Sequence, residues 1–526
     1  MSTRTRVDTT LRELGYARIP DFDEEHRLGP GRDDAGGSYR RHSWLWPLSR
    51  LYRKLGQRLS PQHTSSHPTL SRRLVRSINV ILLILFTCIL ITAVFFPSYN
   101  QVPPHYRALH ERMKTATKHQ TNGAGNPFNE TVFIAAVLYD PEGTIASGDC
   151  GRAVLRLIEY LGRENVFLSI YENNSGPQGK SALQDLASNI PCNYTTFTQD
   201  GLDLDNLRVR RVTLPDSEQR IRRIDYLAAV RNAALLPLQE MDEQGVVYDR
   251  LLYLNDVIFD PVEAAQLLFA TNAHAHAHGK ARYRAACAVD FTNPFKFYDT
   301  YATRDAEGYE IGLPLYPWFT GAGGGRSRAD VLAGRDAVRV RSCWGGMVAF
   351  DAGFFQGPDA VRFRAPDELF WDASECCFVH ADIQTRPSRS DWQSSTHRES
   401  DTGIFMNPFI RVAYDARTHS WLWTTRRFER LYPLAHSLFS GLFGYPGINP
   451  RRGEVPGQAV RNTVWTMDRN GQGRGDFTAV ERMAGNDGFC GRRGMELLVE
   501  DRVPGQDGFE AAPISQAAVN VAYIAR

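Results

Sequence analysis

The chain has 526 residues, of which 42% are hydrophobic and 23% are charged. These proportions are ordinary for globular proteins, so they exclude a wholly disordered, collagen-like or coiled-coil protein. The 61 lysines and arginines nearly balance the 59 acidic residues, which leaves a net charge of +2. This balance excludes a strongly basic surface, and we expect no nucleic acid among the partners.

Residues 1–77 are rich in Arg, Asp, Gly, Ser and Pro and show no sustained hydrophobic periodicity, which is typical of a disordered tail. Residues 78–96 are an uncharged apolar run of 19 residues. As a helix this run spans about 29 Å, close to the hydrocarbon core of a bilayer. Arginines lie just before the run, and no Lys or Arg follows it until Arg107. The positive-inside rule therefore predicts a cytoplasmic tail, a single transmembrane helix and a lumenal remainder.

Two further features agree with a lumenal remainder. Acceptor triplets for N-linked glycans begin at Asn129, Asn173 and Asn193, all after the apolar run. Seven of the eight cysteines also follow it, and none has the CxxC spacing of a zinc site. In an oxidising lumen they can form up to three disulfides and leave one thiol, with the pairing open.

We interpret residues 97–128 as a short stem and residues 129–430 as a folded domain. In this domain, apolar runs such as VFIAAVLY, NVFLSIY and LLYL alternate with segments of helical periodicity. Strands that alternate with helices predict an α/β fold with a largely parallel sheet. We expect helices at 150–162, 181–189 and 217–236. Glycine and proline become more frequent after residue 430, which predicts an irregular extension over 431–526.

The helix predicted at 217–236, with Pro237 marking its end, carries one arginine on its apolar face. Arg231 lies seven positions from apolar residues on either side, so it shares their buried stripe. A buried guanidinium needs a partner. That partner is either an internal acidic residue or an anionic ligand, because Arg matches the geometry of phosphate oxygens. Asn232, next to it, can add an amide contact to the same ligand.

The apolar run LLYL ends at Asn255 and Asp256. In open α/β sheets, ligands bind beyond the carboxyl ends of the strands. Asp256 is therefore placed to hold Mn²⁺ or Mg²⁺ together with the phosphates of a ligand, with Asn255 as a further oxygen ligand. The alternative is that Asp256 is a turn residue that caps the next helix.

Several long motifs resemble those of a known family and stand in the same order. They are RIDYLAAVRNAALLPL, LLYLNDVIF, CAVDFTNPFKFYDTYATRD, SCWGGMVAF and FWDASECCFVHADI. They are similar to motifs of the fungal cryptococcal α-1,3-mannosyltransferase and capsule-associated protein family, over residues 130–415. The resemblance implies a type A glycosyltransferase fold, which is α/β with a Rossmann-like mixed sheet, in a single-pass type II protein of the Golgi membrane.

The resemblance also implies a reaction. It implies GDP-mannose as donor, Mn²⁺ as cofactor, a glycan or capsule-type polysaccharide as acceptor, and an α-1,3 linkage formed with retention of configuration. In yeast-type Golgi mannosyltransferases the corresponding strand ends in Asp-x-Asp. Here Asn255, Asp256 and Val257 occupy those three positions, so only one carboxylate is present.

The motif FWDASECCFVHADI supplies further candidates. His380 and Asp382 are candidates for metal ligands distant in sequence from Asp256. Asp372 and Glu375 are candidates for orienting the acceptor hydroxyl or stabilising an oxocarbenium-like state. With retention, the usual proposal is that the leaving diphosphate takes the acceptor proton, so Glu375 is not assigned as an inverting base.

Other residues are candidates for donor binding. Trp344 offers a stacking face for a sugar, and Gly345 and Gly346 let the backbone approach a ligand closely, although a tight turn with a core Trp explains the same residues. Glu172, at the end of the second strand, is placed to line the nucleotide base or ribose pocket. Asp290 is a further donor-site candidate.

The sequence therefore predicts a Golgi-anchored α-mannosyltransferase. One rival is a transferase of the same fold that uses another nucleotide sugar. A second rival is a catalytically inactive, membrane-bound accessory or glycan-binding protein, which the single carboxylate keeps open.

Overall fold

The computed structural model describes residues 68–119, 122–173, 175–199, 207, 209–214, 218–275, 279–386, 402–467, 475–500 and 508–512. Most of the predicted cytoplasmic tail lies outside these residues. One compact unit ends at Phe95, and the chain from Phe96 onward belongs to another.

The first helix, α1, comprises Pro68–Phe95. Its stretch Arg76–Phe95 has a mean hydropathy of 2.8 and is long and apolar enough to cross a membrane. Most of its apolar side chains are exposed. The helix therefore contains nearly all of the predicted span 78–96 and begins before it, since the preceding polar residues continue the same helix.

The predicted stem contains a second helix, α2, at Pro104–His119. Tyr106, Leu109 and Met113 are buried in the main core of the domain. Their spacing of three and four residues puts them on one helical face. Gln266 also donates a hydrogen bond to the Tyr106 carbonyl at 3.2 Å. The interpretation of 97–128 as a stem is therefore corrected, because this segment is largely part of the folded domain.

In its described residues, the first half of the domain contains six strands and five α-helices. In chain order they are β1 (Val132–Leu138), α3 (Asp149–Leu161), β2 (Val166–Asn173), α4 (Gly176–Ala187), β3 (Asn193–Gln199), β4 (Arg211–Thr213), β5 (Gln219–Ile221), α5 (Arg223–Ala234), α6 (Leu236–Glu243), β6 (Arg250–Leu254) and α7 (Pro261–Phe269).

The described part of the second half adds seven strands and four α-helices. They are β7 (Ala285–Asn293), β8 (Lys296–Phe297), β9 (Arg304–Asp305), α8 (Arg326–Leu332), β10 (Val338–Ser342), β11 (Met347–Asp351), β12 (Trp371–Asp372), α9 (Glu375–Gln384), β13 (Ile404–Ala413), α10 (Ala416–Thr425) and α11 (Tyr432–Leu442).

A ten-stranded mixed sheet forms the centre of the domain, in the order β3-β2-β1-β6-β11-β7-β13-β10-β9, with β8 paired to β7. Strands β1, β2, β3 and β6 are parallel, while β11 is antiparallel to both of its neighbours, β6 and β7. Every residue of β1, β6 and β11 is buried. Strands covered on both faces read as continuous apolar runs. The predicted α/β fold is confirmed, with a mixed sheet.

The strand order reverses beside β1. The chain proceeds outward from β1 to β2 and β3 and then returns to place β6 on the other side of β1. Such a reversal opens a crevice at the carboxyl ends of the strands, where ligands bind in α/β sheets. The end of β6 is therefore at the position in this sheet where a ligand site is expected.

The helix predicted at 217–236 is corrected. Residues 219–221 form strand β5, the helix α5 begins at Arg223, and Pro237 is in the first turn of the separate helix α6. Proline is tolerated there because the first backbone N–H groups of a helix have no partner within it. Pro237 therefore starts a helix and does not mark the end of one.

The prediction of an irregular extension after residue 430 is also corrected. Besides α11, this region contains the strands β14 (Ala459–Met467), β15 (Gly475–Met483), β16 (Arg492–Arg493), β17 (Glu496–Leu498) and β18 (Phe509–Ala511). Strands β14 and β15 form a hairpin, and β16 pairs with β12. Met495 and Leu497 share a buried cluster with Phe370. Apolar side chains on these short strands thus pack on the domain, and the glycines and prolines punctuate the strands.

Two disulfides lie in the domain. Cys287 pairs with Cys343, and Cys377 pairs with Cys490. The second bridge joins α9 to the carboxyl-terminal strands. The remaining cysteines after α1 are thiols, at Cys150, Cys192 and Cys376. The cysteines thus form two bridges where the sequence allowed up to three.

Candidate functional site at the carboxyl end of β6

The candidate site begins where β6 ends. Asn255 and Asp256 follow the buried Leu254, and their side chains are 9% and 7% exposed. The backbone N–H of Asn255 donates to the carbonyl of Gly346 at 2.9 Å. Because β11 runs antiparallel to β6, the loop that precedes β11 meets the carboxyl end of β6. Residues far apart in sequence are thereby brought to one edge.

Asn255 joins two of the predicted site residues. Its Oδ1 accepts hydrogen bonds from Arg231 Nη1 at 3.2 Å and from Trp344 Nε1 at 3.1 Å. An amide oxygen has two lone pairs, and both are used here. The prediction that Asn255 is a metal ligand is therefore corrected, because its oxygen holds an arginine and an indole.

Arg231 is buried and paired with an acidic residue. Its Nε donates to Glu375 Oε1 at 2.8 Å, and both side chains are almost fully buried. The guanidinium also lies 4.3 Å from the centre of the Trp344 ring. Burial lowers the pKa of Arg231, but Cys376 and Glu375 outweigh it, so the pKa is raised above its usual value. Of the two sequence alternatives, the internal ion pair is the one that the structure contains.

Trp344, Gly345 and Gly346 form a tight turn before β11. The two glycines have φ angles of 61° and 66°, which L side chains rarely adopt. A Cβ on Gly345 would lie 2.0 Å from the carbonyl oxygen of Ala288. The Trp344 ring packs against Tyr253 and Arg231 and is buried. Glycine is therefore required at this turn by its close packing, and the indole belongs to the core.

Two aspartates, the fully buried Asp290 and the partly exposed Asp299, support the same turn. Asp299 Oδ2 accepts a hydrogen bond from the N–H of Gly345 at 3.3 Å. The N–H of Asp299 in turn donates to Asp290 Oδ1 at 3.1 Å, and the hydroxyl of Tyr414 donates to Asp290 Oδ2 at 2.9 Å. Burial, and then Asp299, raise the pKa of Asp290 to about 8. Asp290 is thus connected to the site through Asp299 and Gly345.

Sequence reasoning placed Asp299 in the motif CAVDFTNPFKFYDTYATRD without a role, and it did not identify Tyr414. The available signal was Asp290, which lies within the apolar strand β7 and therefore needs a polar partner. Nothing in the sequence indicates which residues supply that partner, because Tyr414 lies 124 positions away.

Asn232 and Glu172 hold local backbone. The Asn232 amide donates to the Phe363 carbonyl at 2.8 Å and accepts from the Phe363 N–H at 2.9 Å. Glu172 Oε1 accepts from the N–H of Ser175 at 2.5 Å, in the turn after β2. Glu172 is at the ligand-binding edge of the sheet, two strands away from β6. The side chain of Asn173 lies outside the described residues.

Asp372 has contacts of its own, separate from those of Arg231. It is on the short strand β12, where Tyr301, Glu496 and Arg223 act on its charge. Burial, and then Glu496, raise its pKa to about 6. Glu375, three residues later, begins helix α9 and turns toward Arg231. The two acids predicted as a group thus have different neighbours.

His380 and Asp382 are engaged elsewhere. His380 is fully buried, with Nδ1 2.6 Å from the Cys376 carbonyl, and burial lowers its pKa to about 4. Its Nε2 lies 3.9 Å from Cys287 Sγ, which is already in a disulfide. Both oxygens of Asp382 accept hydrogen bonds from Arg364, at 2.8 Å and 3.0 Å. None of these contacts includes Asp256, so the structure does not assemble the predicted four-residue metal site.

The sequence of this region matches a known family. Residues 131–382 match the family described as Cryptococcal mannosyltransferase 1. The matched segment contains Arg231, Asn255, Asp256, Trp344 and Glu375, so the network at the end of β6 lies wholly within it. No curated protein matches the chain significantly.

Two solved structures show distant similarity. The first is the mannosyltransferase PcManGT from Pyrobaculum calidifontis in complex with GDP-Man and Mn²⁺, at 11% identity and a TM-score of 0.29, covering 66% of this chain and 75% of that one. The second is TarS residues 1–349 from S. aureus, at 8% identity and a TM-score of 0.26, covering 53% and 60%. At these TM-scores the similarities carry no argument.

Proposed function

We propose that this chain, whose residues 131–382 match the family described as Cryptococcal mannosyltransferase 1, transfers mannose from GDP-mannose to a glycan or polysaccharide acceptor. We further propose that the linkage is α-1,3 and that configuration at the anomeric carbon is retained. The observation that carries the proposal is the network around Asn255, which holds Asp256 at the strand reversal of the sheet.

The proposed fold is the type A glycosyltransferase fold. Its support is the mixed sheet, in which parallel strands on both sides of a reversal direct their carboxyl ends to one edge. An edge of this kind suits a nucleotide donor, because the diphosphate can approach strand ends and the turns that follow them.

Asp256 fits a role in holding Mn²⁺ or Mg²⁺. Asp256 follows the end of β6 by two residues, beside the strand reversal of the sheet, and its carboxylate is the type of oxygen ligand that these cations prefer. Hard divalent cations are often held by one or two carboxylates plus substrate phosphate oxygens and water. A single Asp256 is therefore sufficient when the donor diphosphate supplies the other oxygens. When bound, such a cation stabilises the negative charge on a departing diphosphate.

The other residues of the network position Asp256. Arg231 and Trp344 hold the Asn255 side chain, and Gly346 holds its backbone, so the residue that follows is presented at a fixed place. Glu375 balances the charge of Arg231. We therefore propose positioning roles for Arg231 and Glu375, and we retain Asp372 as the candidate for orienting the acceptor hydroxyl. Fixed geometry of this kind contributes to catalysis by removing the cost of reorganisation.

The proposed location is the Golgi membrane, with α1 as a single span and the domain in the lumen. The apolar length of α1 and the two disulfides support it. Asn129 and Asn193 are exposed, which suits N-linked glycans.

The function is tested with the purified full-length chain in detergent. Sugar transfer is measured from GDP-mannose and from UDP-linked sugars, each with Mn²⁺, to mannose-containing glycan acceptors, with Asp256→Asn as the matched inactive control. We expect transfer from GDP-mannose alone, and a shift of Tm with GDP but not with UDP. Transfer from a UDP-sugar would show that the donor is that sugar nucleotide and not GDP-mannose. Absence of transfer from every donor, without nucleotide binding, would favour the accessory protein.

A further inference from the structure

The helices α10 and α11, and the residues just after α11, expose several large apolar side chains. Leu434, Leu438 and Leu442 are 83%, 67% and 72% exposed, at a spacing of four residues along α11. A spacing of four puts them on one face of the helix. We call this set the α10–α11 surface, and it comprises Trp421, Trp423, Leu434, Leu438, Leu442, Phe443 and Ile448, all of them exposed.

The amphipathic pattern of α11 is the inverse of that in a soluble domain. Its buried residues are His436 and Ser440, whereas its leucines face outward. His436 Nε2 lies 3.2 Å from the Trp318 carbonyl, and Ser440 Oγ accepts from the Leu313 N–H at 3.3 Å. Polar hydrogen bonds therefore hold the inner face, while the leucines are exposed on the outer face. An exposed apolar patch of this kind marks an interaction site.

The charge of the surface restricts what can cover it. Residues 416–448 contain four arginines, of which Arg426 is buried, and one acidic residue, Glu429. Glu429 is buried in an ion pair with Arg411 and does not face solvent. The Arg427 guanidinium lies 4.1 Å from the ring centre of the exposed Trp423. Leucines flanked by tryptophan and arginine are typical of segments that lie in the interface of a membrane.

The chain leaving α1 is fixed beside this surface. The Ser98 N–H donates to the Arg426 carbonyl at 3.0 Å, its hydroxyl bonds to Glu429, and Arg426 Nη1 donates to the Tyr99 carbonyl at 3.2 Å. Ser98 is therefore held where α10 ends and α11 begins. Phe95, the last residue of α1, is three residues earlier, and three residues span at most about 11 Å. A bilayer crossed by α1 must come within that distance of Ser98.

We propose that the α10–α11 surface docks on the lumenal leaflet of the membrane that α1 crosses, with its leucines and tryptophans among the lipids and its arginines at the headgroups. The inference rests on the proposed membrane span of α1. It is independent of the donor sugar and of Asp256.

The test uses the full-length chain reconstituted in vesicles of phosphatidylcholine and phosphatidylserine. The lipids carry a label by which their adducts with the protein are detected. A photo-crosslinking amino acid replaces Leu438 in one variant and Val247 in the other. Val247 is also an exposed apolar residue, 52% exposed, but it lies before β6. We expect lipid adducts at position 438 and not at position 247. Alkaline carbonate extraction of the same vesicles tests separately whether α1 spans the membrane.

A second variant tests the apolar contact itself. With the crosslinker at Leu442, Leu438→Asp is expected to lower the lipid adduct about tenfold, because burying one leucine is worth about that factor. Val247→Asp is the matched control and leaves the adduct unchanged. Leu438 is exposed, so its replacement does not disturb the core.

The outcomes are distinguishable. A chain that resists carbonate but forms equal adducts at positions 438 and 247 overturns the docking and leaves the anchor in place. Adducts from position 438 to a second copy of the chain also overturn it, since a protein then covers the surface. Release of the chain by carbonate overturns both the proposed membrane span and the proposed docking. None of these results bears on the proposed sugar transfer, which is tested separately.

Discussion

Neighbouring residues at the end of β6 have different tasks. Asn255 uses both lone pairs of its amide oxygen to accept hydrogen bonds from Arg231 and Trp344, so its role is structural. Asp256 is the next residue in the chain and is 7% exposed. We propose that the single carboxylate in place of Asp-x-Asp is a division of roles, with a structural residue at the first position and a donor diphosphate supplying the remaining oxygens to the cation.

The first prediction concerns Asp256. Asp256→Asn keeps the size of the side chain and removes the charge, so we expect turnover to fall by about 10²-fold, the usual loss when one electrostatic contact to a transition state is removed. The measurement is the rate of transfer from GDP-mannose, with Tm as a check of folding. Asp260→Asn is the matched control, because Asp260 caps α7 and Asn caps equally well. Near-normal turnover in Asp256→Asn would remove Asp256 from the site.

The second prediction concerns the pair of Arg231 and Glu375. Arg231→Met leaves the Glu375 carboxylate buried without its ion pair, so we expect the free energy of unfolding to fall by about 3–5 kcal/mol. Adding Glu375→Gln removes the uncompensated charge and is expected to restore most of the stability. Denaturant unfolding of the single and double variants measures both changes.

Activity then separates two roles for Arg231. If Arg231 positions Asn255, we expect the stable double variant to have a lower kcat than the wild type, while its KM for GDP-mannose changes little. A double variant with unchanged kcat but a greatly raised KM would instead assign Arg231 to direct binding of the donor.

The sequence predicted much of the site at this scale, for physical reasons. Arg231 was identified because it interrupts an apolar helical face, and Asn255 and Asp256 because they end a buried strand. The partner of Arg231 was left open, because Glu375 is 144 residues away and only the tertiary fold brings it near. His380 was proposed as a ligand from its position after an apolar pair, but the same apolar neighbours bury it completely.

At the scale of elements, one antiparallel strand organises the site. Strand β11 lies between β6 and β7, and its reversed direction brings the turn of Trp344 and Gly345 to the end of β6 and beside Ala288 within β7. Apolar runs predicted the strands of this sheet, but strand order depends on pairing between distant segments. The antiparallel direction of β11 could therefore not be predicted from the sequence.

The third prediction concerns the end of β7, where Asp290 has a pKa raised from 3.8 to about 8, by burial first and then by Asp299. The native pair thus keeps a proton that the unfolded chain loses near pH 4. Stability from this proton is present below the unfolded pKa and is lost as pH rises toward the folded value. We expect the unfolding free energy of the wild type, relative to Asp290→Asn, to fall by at most about 1.4 kcal/mol per pH unit across this window.

Unfolding curves at a series of pH values measure this difference. Asp185→Asn is the control, since Asp185 is exposed on α4. A difference between wild type and Asp290→Asn that stays constant with pH would mean that the Asp290 carboxyl is ionised in the folded protein.

At the scale of the whole molecule, the carboxyl-terminal region completes the domain. Strand β16 pairs with β12, and Cys490 is bonded to Cys377 on α9. The sequence predicted an irregular extension because glycines and prolines interrupt its short strands. Those strands are stabilised by packing on residues such as Phe370, which precede them by more than a hundred positions, so local periodicity alone carries little signal.

The fourth prediction follows from this connection. The Cys377–Cys490 bridge closes a loop of 113 residues. In the chain-entropy account, losing a cross-link of that size costs about 4–5 kcal/mol. We expect Cys377→Ser with Cys490→Ser to lower the free energy of unfolding by that amount, measured by denaturant unfolding. Cys192→Ser, which removes a thiol and no bridge, is the control. An unchanged stability would show that packing alone holds the carboxyl-terminal strands.

Cys376 and Cys377 are adjacent, yet only Cys377 is oxidised. Cys376 Sγ lies 3.3 Å from Glu375 Oε1, and its neighbour extends to Cys490 instead. A single proteolytic peptide therefore carries both a thiol and a half-cystine, and its mass after alkylation of the unreduced chain reports the redox history of the molecule. Material matured in a secretory compartment and material made in a reducing cytosol would differ in this one fragment, so the protein contains its own marker of where it was folded.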